Sequence, residues 1–235
     1  MNKMLSKINL QYISEYRTEI MGYAIIGVML SHLKTTCDYQ LNLLISKLIG
    51  LFCYSVFTGG FFFLSGLGLY NSFDRNYNLH NFYLKRFKRL VVPYWLISTP
   101  YFLYTDILLN NSYINFFEHF TTISFWLHVD DSGMWYVAVA VVFYIFYPVI
   151  HRILYCTKYK PIIVFIICVT LIFACSLLCK HVTPLYYSNI KIVFGDAILF
   201  LMGSYTMNKV KKEGGIKVTE LILLLTFLGE VVREL

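Results

Sequence analysis

A histidine closes the first apolar run of the chain, and its position suits proton transfer. His32 ends the stretch MGYAIIGVMLSHL. Histidine changes charge near neutral pH, and either ring nitrogen can act as an acid or a base. A charged side chain costs about 2.5–3.5 kcal/mol or more at membrane depth, so ionisable groups that are kept there usually face a cavity or a partner. His32 is therefore a candidate general base, and a neutral interfacial histidine bonded to a carbonyl fits the same position.

A basic cluster follows the second apolar run, in FYLKRFKRLVVPYW. Arg86 and Arg89 are three residues apart, so on a short helix both point the same way and can hold one polyanionic head group. The planar guanidinium matches phosphate oxygens, and Lys85 adds a neighbouring cation. The alternative interpretation is a positively charged anchor at the cytoplasmic side of a membrane.

Two more features lie inside apolar runs. Asp196, in KIVFGDAILFLMG, has Lys191 five residues away, so it fits a functional site or a structural Lys–Asp pair. The stretch TGGFFFLSGLG contains Gly60, Ser65 and Gly66. Glycine lets a ligand or a neighbouring helix approach closely, so this stretch fits either an acyl-binding surface or helix packing alone.

The composition requires a membrane bundle to position these groups. Of the 235 residues, 58% are apolar and 14% charged, whereas a soluble domain has about 45–50% and about 25%. A soluble globule and a disordered chain are both excluded. We predict one all-α domain over residues 1–235, a polytopic transmembrane bundle. Its seven predicted spans are 13–33, 48–70, 91–109, 134–151, 161–180, 188–206 and 217–235.

The basic residues predict the orientation of the bundle. Alternate loops place 15 of the 20 lysines and arginines on one side and three on the other. Basic loops stay in the cytoplasm, so the N-terminus is predicted inside and the 110–133 loop outside. The net charge of +7 then implies membrane lipid as a partner and no nucleic acid. No removable signal is recognisable, and the six cysteines form no CxxC pair, so we expect no metal site.

Three features taken in order resemble the acyltransferase-3 family of multi-pass membrane acyltransferases, which includes bacterial O-antigen acetylases. They are a histidine closing the first span, GGFFFLSG in the second, and then FYLKRFKRLVVPYW. Further on, Trp135 and Pro148 in MWYVAVAVVFYIFYP look like the family's Trp-to-Pro helix. The resemblance covers roughly residues 15–150.

The resemblance implies transfer of an acyl group, usually acetyl, from cytoplasmic acyl-CoA to a hydroxyl of a lipid-linked or cell-surface glycan. The family's RxxR falls on Arg86 and Arg89, which would hold coenzyme phosphates, and its first-span histidine falls on His32, which would be the base. The glycines and serine of GGFFFLSG would accommodate the acyl chain. Acyl-CoA is then the donor substrate, with no permanently bound cofactor, and the location is the cytoplasmic membrane of a bacterium.

The chain departs from the family in three places. Met21 stands where the family commonly has an arginine eleven residues before the histidine, and Arg17 lies one turn earlier. Arg17 is fifteen residues from His32, about 22 Å along a helix, so it fits either a contribution to the same cavity or a snorkelling anchor.

The second departure is in the Trp-to-Pro helix, where many members carry glutamate and this chain has Ala140 and Val141. This predicts a different acceptor subclass or another residue that supplies the acid. The third is length, because seven spans are fewer than the family's usual ten or so. A short or C-terminally truncated member is therefore expected.

Two other functions fit the same residues. In a transporter or flippase-like bundle, His32, Asp196 and Lys191 would form a proton relay. In an inactive truncated acyltransferase remnant, the fold alone would persist. The intramembrane charges are sparse and the arginine pair lies at one mouth, which favours a donor-binding site and an O-acyltransferase.

Overall fold

The chain is helical apart from one short strand pair. The computed structural model describes residues 7–8, 11–37, 47, 58–75, 78–128 and 135–217. Strands β1 (Lys7–Ile8) and β2 (Ile216–Lys217) pair antiparallel. The α-helices are α1 (Gln11–Glu15), α2 (Arg17–Cys37), α3 (Thr58–Arg75), α4 (Leu79–Arg86), α5 (Val92–Phe102), α6 (Tyr113–Phe120), α7 (Ser124–Leu127), α8 (Trp135–Tyr155), α9 (Pro161–Val182) and α10 (Pro184–Glu213). The prediction of an all-α chain is confirmed for the described residues, apart from this pair of two-residue strands.

Three helices of the described part are long and apolar enough to cross a membrane. They cover Trp135–Tyr155, Pro161–Val182 and Ile190–Glu213, and they correspond to the predicted runs 134–151, 161–180 and 188–206. The total of seven spans and the inside N-terminus stay predictions. The run 48–70 is described from residue 58 onward, and the run 217–235 lies outside the described residues except for Lys217.

The predicted run 91–109 belongs to a longer helical segment, residues 79–109, which contains two π-helical stretches. The first π-helical segment is Phe87–Val91 and the second is Leu103–Leu109, with α5 between them. Asn78 caps the start of α4 by accepting a hydrogen bond from the Asn81 backbone N–H. Pro100 lies inside α5 and has no N–H to donate, and a widened π turn is one way for a helix to continue past such a gap.

The described chain divides into two compact units, one of residues 1–71 with 195–235 and one of residues 72–194. In the first unit, α3 and α10 touch through their backbones. A Cβ added at Gly66 would overlap the carbonyl of Phe200, and one added at Gly203 would overlap the carbonyl of Phe63. The contacts of these helices run from Gly59 with Leu199 to Tyr70 with Asn208, so the two helices run parallel, and small residues allow the close crossing.

In the second unit, aromatic rings join α4 and α8. Phe82 lies 5.1 Å from Phe73 and 6.0 Å from Tyr147, measured between ring centroids. The Tyr83 hydroxyl donates to the carbonyl of Ile145. Edge-to-face and stacked ring pairs of this kind add to the apolar burial of the rings.

The predicted 110–133 loop is partly helical, since it contains α6. Ser112 caps the start of α6 by accepting a hydrogen bond from the Asn115 backbone N–H.

Candidate functional site

His32 lies near the C-terminal end of α2, and its side chain is exposed. Arg17 is the first residue of the same helix. Fifteen residues of α-helix separate them by about 22 Å, so α2 does not bring the two side chains together. The predicted catalytic pair is therefore split between the two ends of one helix.

Arg17 is held by the glycine-rich helix α3. Its Nε donates a hydrogen bond to the carbonyl of Leu64 at 2.9 Å. Its guanidinium occupies the space that a side chain at residue 68 would need, since a Cβ added at Gly68 would overlap it. Arg17 is thus packed against α3 in the first unit, and the absence of a Cβ at Gly68 makes that contact possible.

The three predicted acyl-contact residues of α3 differ in what surrounds them. Gly66 is covered by the Phe200 carbonyl of α10, and Ser65 is buried. Around Gly60, by contrast, a Cβ would meet no atom of the described residues within 4 Å. Gly66 therefore packs against α10, and the acyl-contact role of all three residues stays a prediction.

Asp196 is a buried acid in the first unit. Its residue is 4% exposed, and its Oδ2 has no hydrogen-bond partner among the described residues. Oδ1 lies 3.5 Å from the position that a Cβ at Gly59 would take. Lys191 is exposed, and no ion pair with Asp196 is present in the described part of the chain. The choice between a functional site and a structural Lys–Asp pair stays a prediction.

The two arginines of the basic cluster are placed differently. Arg86 ends α4 and is buried, with its guanidinium carbon 5.5 Å from the Phe82 ring centroid and 5.9 Å from that of Tyr144. Arg89 lies in the first π-helical segment and is exposed, as is Lys85. A π turn advances each residue less around the axis than an α turn. The expectation that both arginines point the same way is therefore corrected: Arg86 packs on aromatic rings, and Arg89 faces outward.

Sequence reasoning missed the hydrogen-bonded pair of Asp106 and His119. Asp106 lies in the second π-helical segment, and its Oδ2 is 2.7 Å from Nδ1 of His119 on α6. Asp106 is an acid inside the predicted span 91–109. Ionisable residues within a span are functional candidates, so this reason applies to Asp106 as it does to Asp196. Its partner was not predictable from spacing, because a turn and most of α6 separate the two residues.

One cavity adjoins α6. It has a volume of about 450 Å³ and is lined by Tyr113, Ile114, Phe117, Glu118, Ile123 and Leu127. None of the predicted site residues lines it. Its wall is mostly apolar, and Glu118 is its one charged residue.

Comparison with known proteins identifies the family. The family model described as "Acyltransferase domain", of acyltransferase family 3, matches residues 22–229. His32, the glycine-rich stretch, the basic cluster and Asp196 lie inside the matched residues, and Arg17 precedes them. No curated protein and no solved structure matches the chain significantly. The match extends well beyond residue 150, where the motif resemblance ended, and covers most of the sequence, so the chain belongs to the acyltransferase-3 family.

Proposed function

We propose that this protein is a membrane O-acyltransferase that moves an acyl group, most simply acetyl, from acyl-CoA at the cytoplasmic face to a hydroxyl of a lipid-linked or cell-surface glycan. The observation that carries the proposal is the family match over residues 22–229, which contains His32 and the basic cluster. The three apolar helices long enough to cross a membrane support a membrane location.

In the proposed reaction, His32 is the general base. Its imidazole takes the proton of the acceptor hydroxyl while the oxygen attacks the thioester carbonyl carbon. The carbon–sulfur bond then breaks, and the coenzyme thiolate takes the proton from His32. The acyl oxygen ester and free coenzyme are the products, so atoms and charge balance without a further reactant.

The donor phosphates would meet the exposed cations of the basic cluster. Arg89 and Lys85 face outward, and guanidinium and ammonium groups both bind phosphate through charge-assisted hydrogen bonds. Arg86 would have a structural role. Its buried guanidinium lies against Phe82 and Tyr144 and holds the end of α4 that precedes Arg89. Gly60 on α3, which no atom of the described residues covers, is the position in the glycine-rich stretch where an acyl chain could approach the backbone.

Asp196 is the remaining predicted site residue, and we assign it to the same reaction. A buried carboxylate oxygen without a partner is costly, so it usually marks a place where a ligand, an ion or a proton is held. Replacing Asp196 by Asn keeps its shape and removes its charge. We expect that variant to fold and to lose acyl transfer.

The test is transfer of label from radioactive acetyl-CoA in membranes that contain the protein. We expect label in the saccharide fraction that mild alkali releases as acetate, because oxygen esters are alkali-labile and amides are not. Membranes without the chain are the control. Equal label in both membranes, with acetyl-CoA and with longer acyl-CoA donors, would contradict an acyltransferase.

One observation favours the transporter alternative, namely a buried acid without a described partner in a candidate span, Asp196. A proton-coupled transporter would lose proton movement on Asp196→Asn while the wild-type protein shows no acyl transfer. Proton uptake into vesicles and label transfer, measured on the same preparation, separate the two functions.

A further inference from the structure

The cavity beside α6 combines an apolar wall with one carboxylate. Its volume of about 450 Å³ falls within the range of about 300–1,000 Å³ that is usual for small-molecule sites. Residues of α6, of α7 and of the turn between them line it, namely Tyr113, Ile114, Phe117, Glu118, Ile123 and Leu127. A ligand that fills this cavity must therefore be mostly apolar and must carry a group that a carboxylate attracts.

The turn between α6 and α7 builds the cavity. Thr122 has a φ of 62°, and β-branched residues rarely adopt the left-handed region unless the surrounding structure requires it. The Ile123 backbone N–H donates to the carbonyl of Glu118 at 2.9 Å. The Glu118 carboxylate lies 2.6 Å from Nε2 of His128, the residue that follows α7. These contacts hold α7 against α6, so the cavity is a defined feature of the second unit.

The α6 residues at this cavity form an exposed apolar face. Ile114 is 72% exposed and Phe117 is 61% exposed. Another side of α6 packs on α5, where Phe120 stacks on Trp95 with 4.8 Å between ring centroids. With eight residues, α6 is about 12 Å long and is too short to cross a hydrocarbon layer of about 30 Å. Its apolar face therefore marks a contact of another kind, with lipid at the membrane surface or with a partner.

The position of α6 in the sequence favours lipid. It begins at Tyr113, four residues after the end of the predicted span 91–109, so this span places α6 at the membrane surface. Tyrosine and tryptophan are enriched where the hydrocarbon layer meets water. Tyr113 lies at the start of α6 and Trp126 lies in α7, as expected of helices at that depth.

The charge of this stretch selects the lipid head group. Between Arg89 and Arg152 the sequence contains no lysine or arginine and four acids, which are Asp106, Glu118, Asp130 and Asp131. Negative charge repels an anionic head group and attracts a cationic one. Both oxygens of a carboxylate accept hydrogen bonds, so Glu118 can accept from an ammonium group as well as from His128. A primary ammonium has three N–H donors, whereas the quaternary ammonium of choline has none.

We infer that the cavity between α6 and α7 is a binding site for a phospholipid with a primary ammonium head group, such as phosphatidylethanolamine. One acyl chain lies on Ile114, Phe117 and Leu127, and the ammonium donates to the carboxylate of Glu118. This site goes beyond the proposed function and requires no acyl transfer. It also differs from the basic cluster, whose cations attract anionic groups.

The test locates the lipid by photolabelling. The full chain is placed in phosphatidylcholine nanodiscs that contain a sub-saturating amount of phosphatidylethanolamine with a diazirine in one acyl chain. We expect label on residues 113–127. Unlabelled phosphatidylethanolamine should displace it at a mole fraction about tenfold below that needed with phosphatidylglycerol of the same acyl chains, because a charge-assisted hydrogen bond is gained. At Phe146, which lies on α8 and is 55% exposed, the two lipids should compete equally.

Two pairs of variants test the two parts of the site. Phe117→Ala removes apolar wall and should reduce label on the rest of residues 113–127 about tenfold, whereas Phe146→Ala should leave that label unchanged. Glu118→Gln keeps the shape of the wall and removes its charge, so the two lipids should then compete at equal mole fractions. Glu19→Gln changes an exposed carboxylate of α2 and should keep the tenfold preference.

Three results would overturn the inference. The first is the absence of label on residues 113–127 of the wild-type protein, including the case in which α6 cross-links to a second copy of the chain, because the face would then be a protein interface. The second is equal competition by the two lipids in the wild-type protein. The third is an unchanged preference in Glu118→Gln, which would separate the head group from the carboxylate.

Discussion

The two π-helical segments that flank α5 hold charge in opposite ways. Phe87–Val91 carries Lys88 and Arg89, and both side chains are exposed. Leu103–Leu109 carries Asp106, which is buried and bound to His119. The same backbone irregularity therefore presents cations outward at one end of the segment and encloses a carboxylate at the other.

This difference shows how one helical segment can hold charged side chains in two different environments. A π turn changes the direction of the side chains that follow it, and such turns are frequent at functional sites. The end with Arg89 leaves its cations exposed, whereas the end with Asp106 holds its carboxylate against His119. Each prediction below changes a residue at one of these two ends, or tests the crossing of α3 and α10, which lies outside this helical segment.

The largest effect is expected at the basic end. The double variant Lys85→Gln/Arg89→Gln should weaken coenzyme A binding about 100-fold or more, since each charge-assisted hydrogen bond contributes about 1.5–3 kcal/mol. Equilibrium binding in nanodiscs measures this. His128→Gln changes the residue that follows α7. It is the control and should bind coenzyme A as the wild-type protein does. Unchanged affinity in the double variant would leave the cluster as a topology anchor.

The crossing of α3 and α10 is a contact between backbones at glycines, so it tests packing alone. Gly203→Ala should lower the free energy of unfolding by about 1–3 kcal/mol, because the new methyl group overlaps the Phe63 carbonyl. The new methyl group of Gly195→Ala on the same helix would meet no atom of the described part of the chain within 4 Å, so this variant should leave the free energy of unfolding unchanged or raise it by up to about 1 kcal/mol. Denaturant unfolding in mixed micelles compares them, and equal effects would contradict the backbone contact.

At the Asp106 end, the buried Asp106–His119 hydrogen bond should matter more than the more exposed bond between Glu118 and His128. Asp106→Asn is expected to cost about 1–2 kcal/mol of unfolding free energy, because a buried charge-assisted hydrogen bond is lost. Glu118→Gln should cost less than about 1 kcal/mol, since the His128 side chain is 57% exposed. The same unfolding assay measures both variants. A larger loss for Glu118→Gln would reverse the assigned importance of the two pairs.

The smallest effect concerns Arg86. Lysine keeps the charge but loses the flat guanidinium that lies over Phe82 and Tyr144, so Arg86→Lys should cost about 0.5–1 kcal/mol of unfolding free energy. Arg152→Lys changes an exposed arginine and should have no measurable effect. If Arg86→Lys also leaves the free energy of unfolding unchanged, then the two rings do not hold Arg86.

Much of the helical fold and the family followed from local sequence. The ordered features around His32, GGFFFLSG and RxxR predicted the family that the comparison confirmed, and hydropathy predicted the three candidate spans. Contacts between distant residues did not follow. Gly66 was recognised as a close-approach position, but its partner Phe200 lies on another helix, and one sequence does not reveal which helix covers a glycine.

Side-chain direction was the second limit. Equal spacing predicted one face for Arg86 and Arg89, since a regular α-helix places residues three apart near each other. The π-helical segment at Phe87–Val91 changes that geometry, and its local sequence FKRLV does not predict a π-helix. Tyr144, which helps to bury Arg86, lies on α8, and its place in the Trp-to-Pro helix did not predict this contact.

The most direct test of the account compares acyl transfer in His32→Ala with that in the wild-type protein, with His181→Ala as a matched exposed control. Initial rates of label transfer from acetyl-CoA are measured in membranes with equal amounts of each protein, together with coenzyme A affinity. The account predicts a loss of about 10²–10⁴-fold in His32→Ala, as removal of a general base produces, with unchanged affinity and full activity in His181→Ala. Equal rates in His32→Ala and wild type would contradict it.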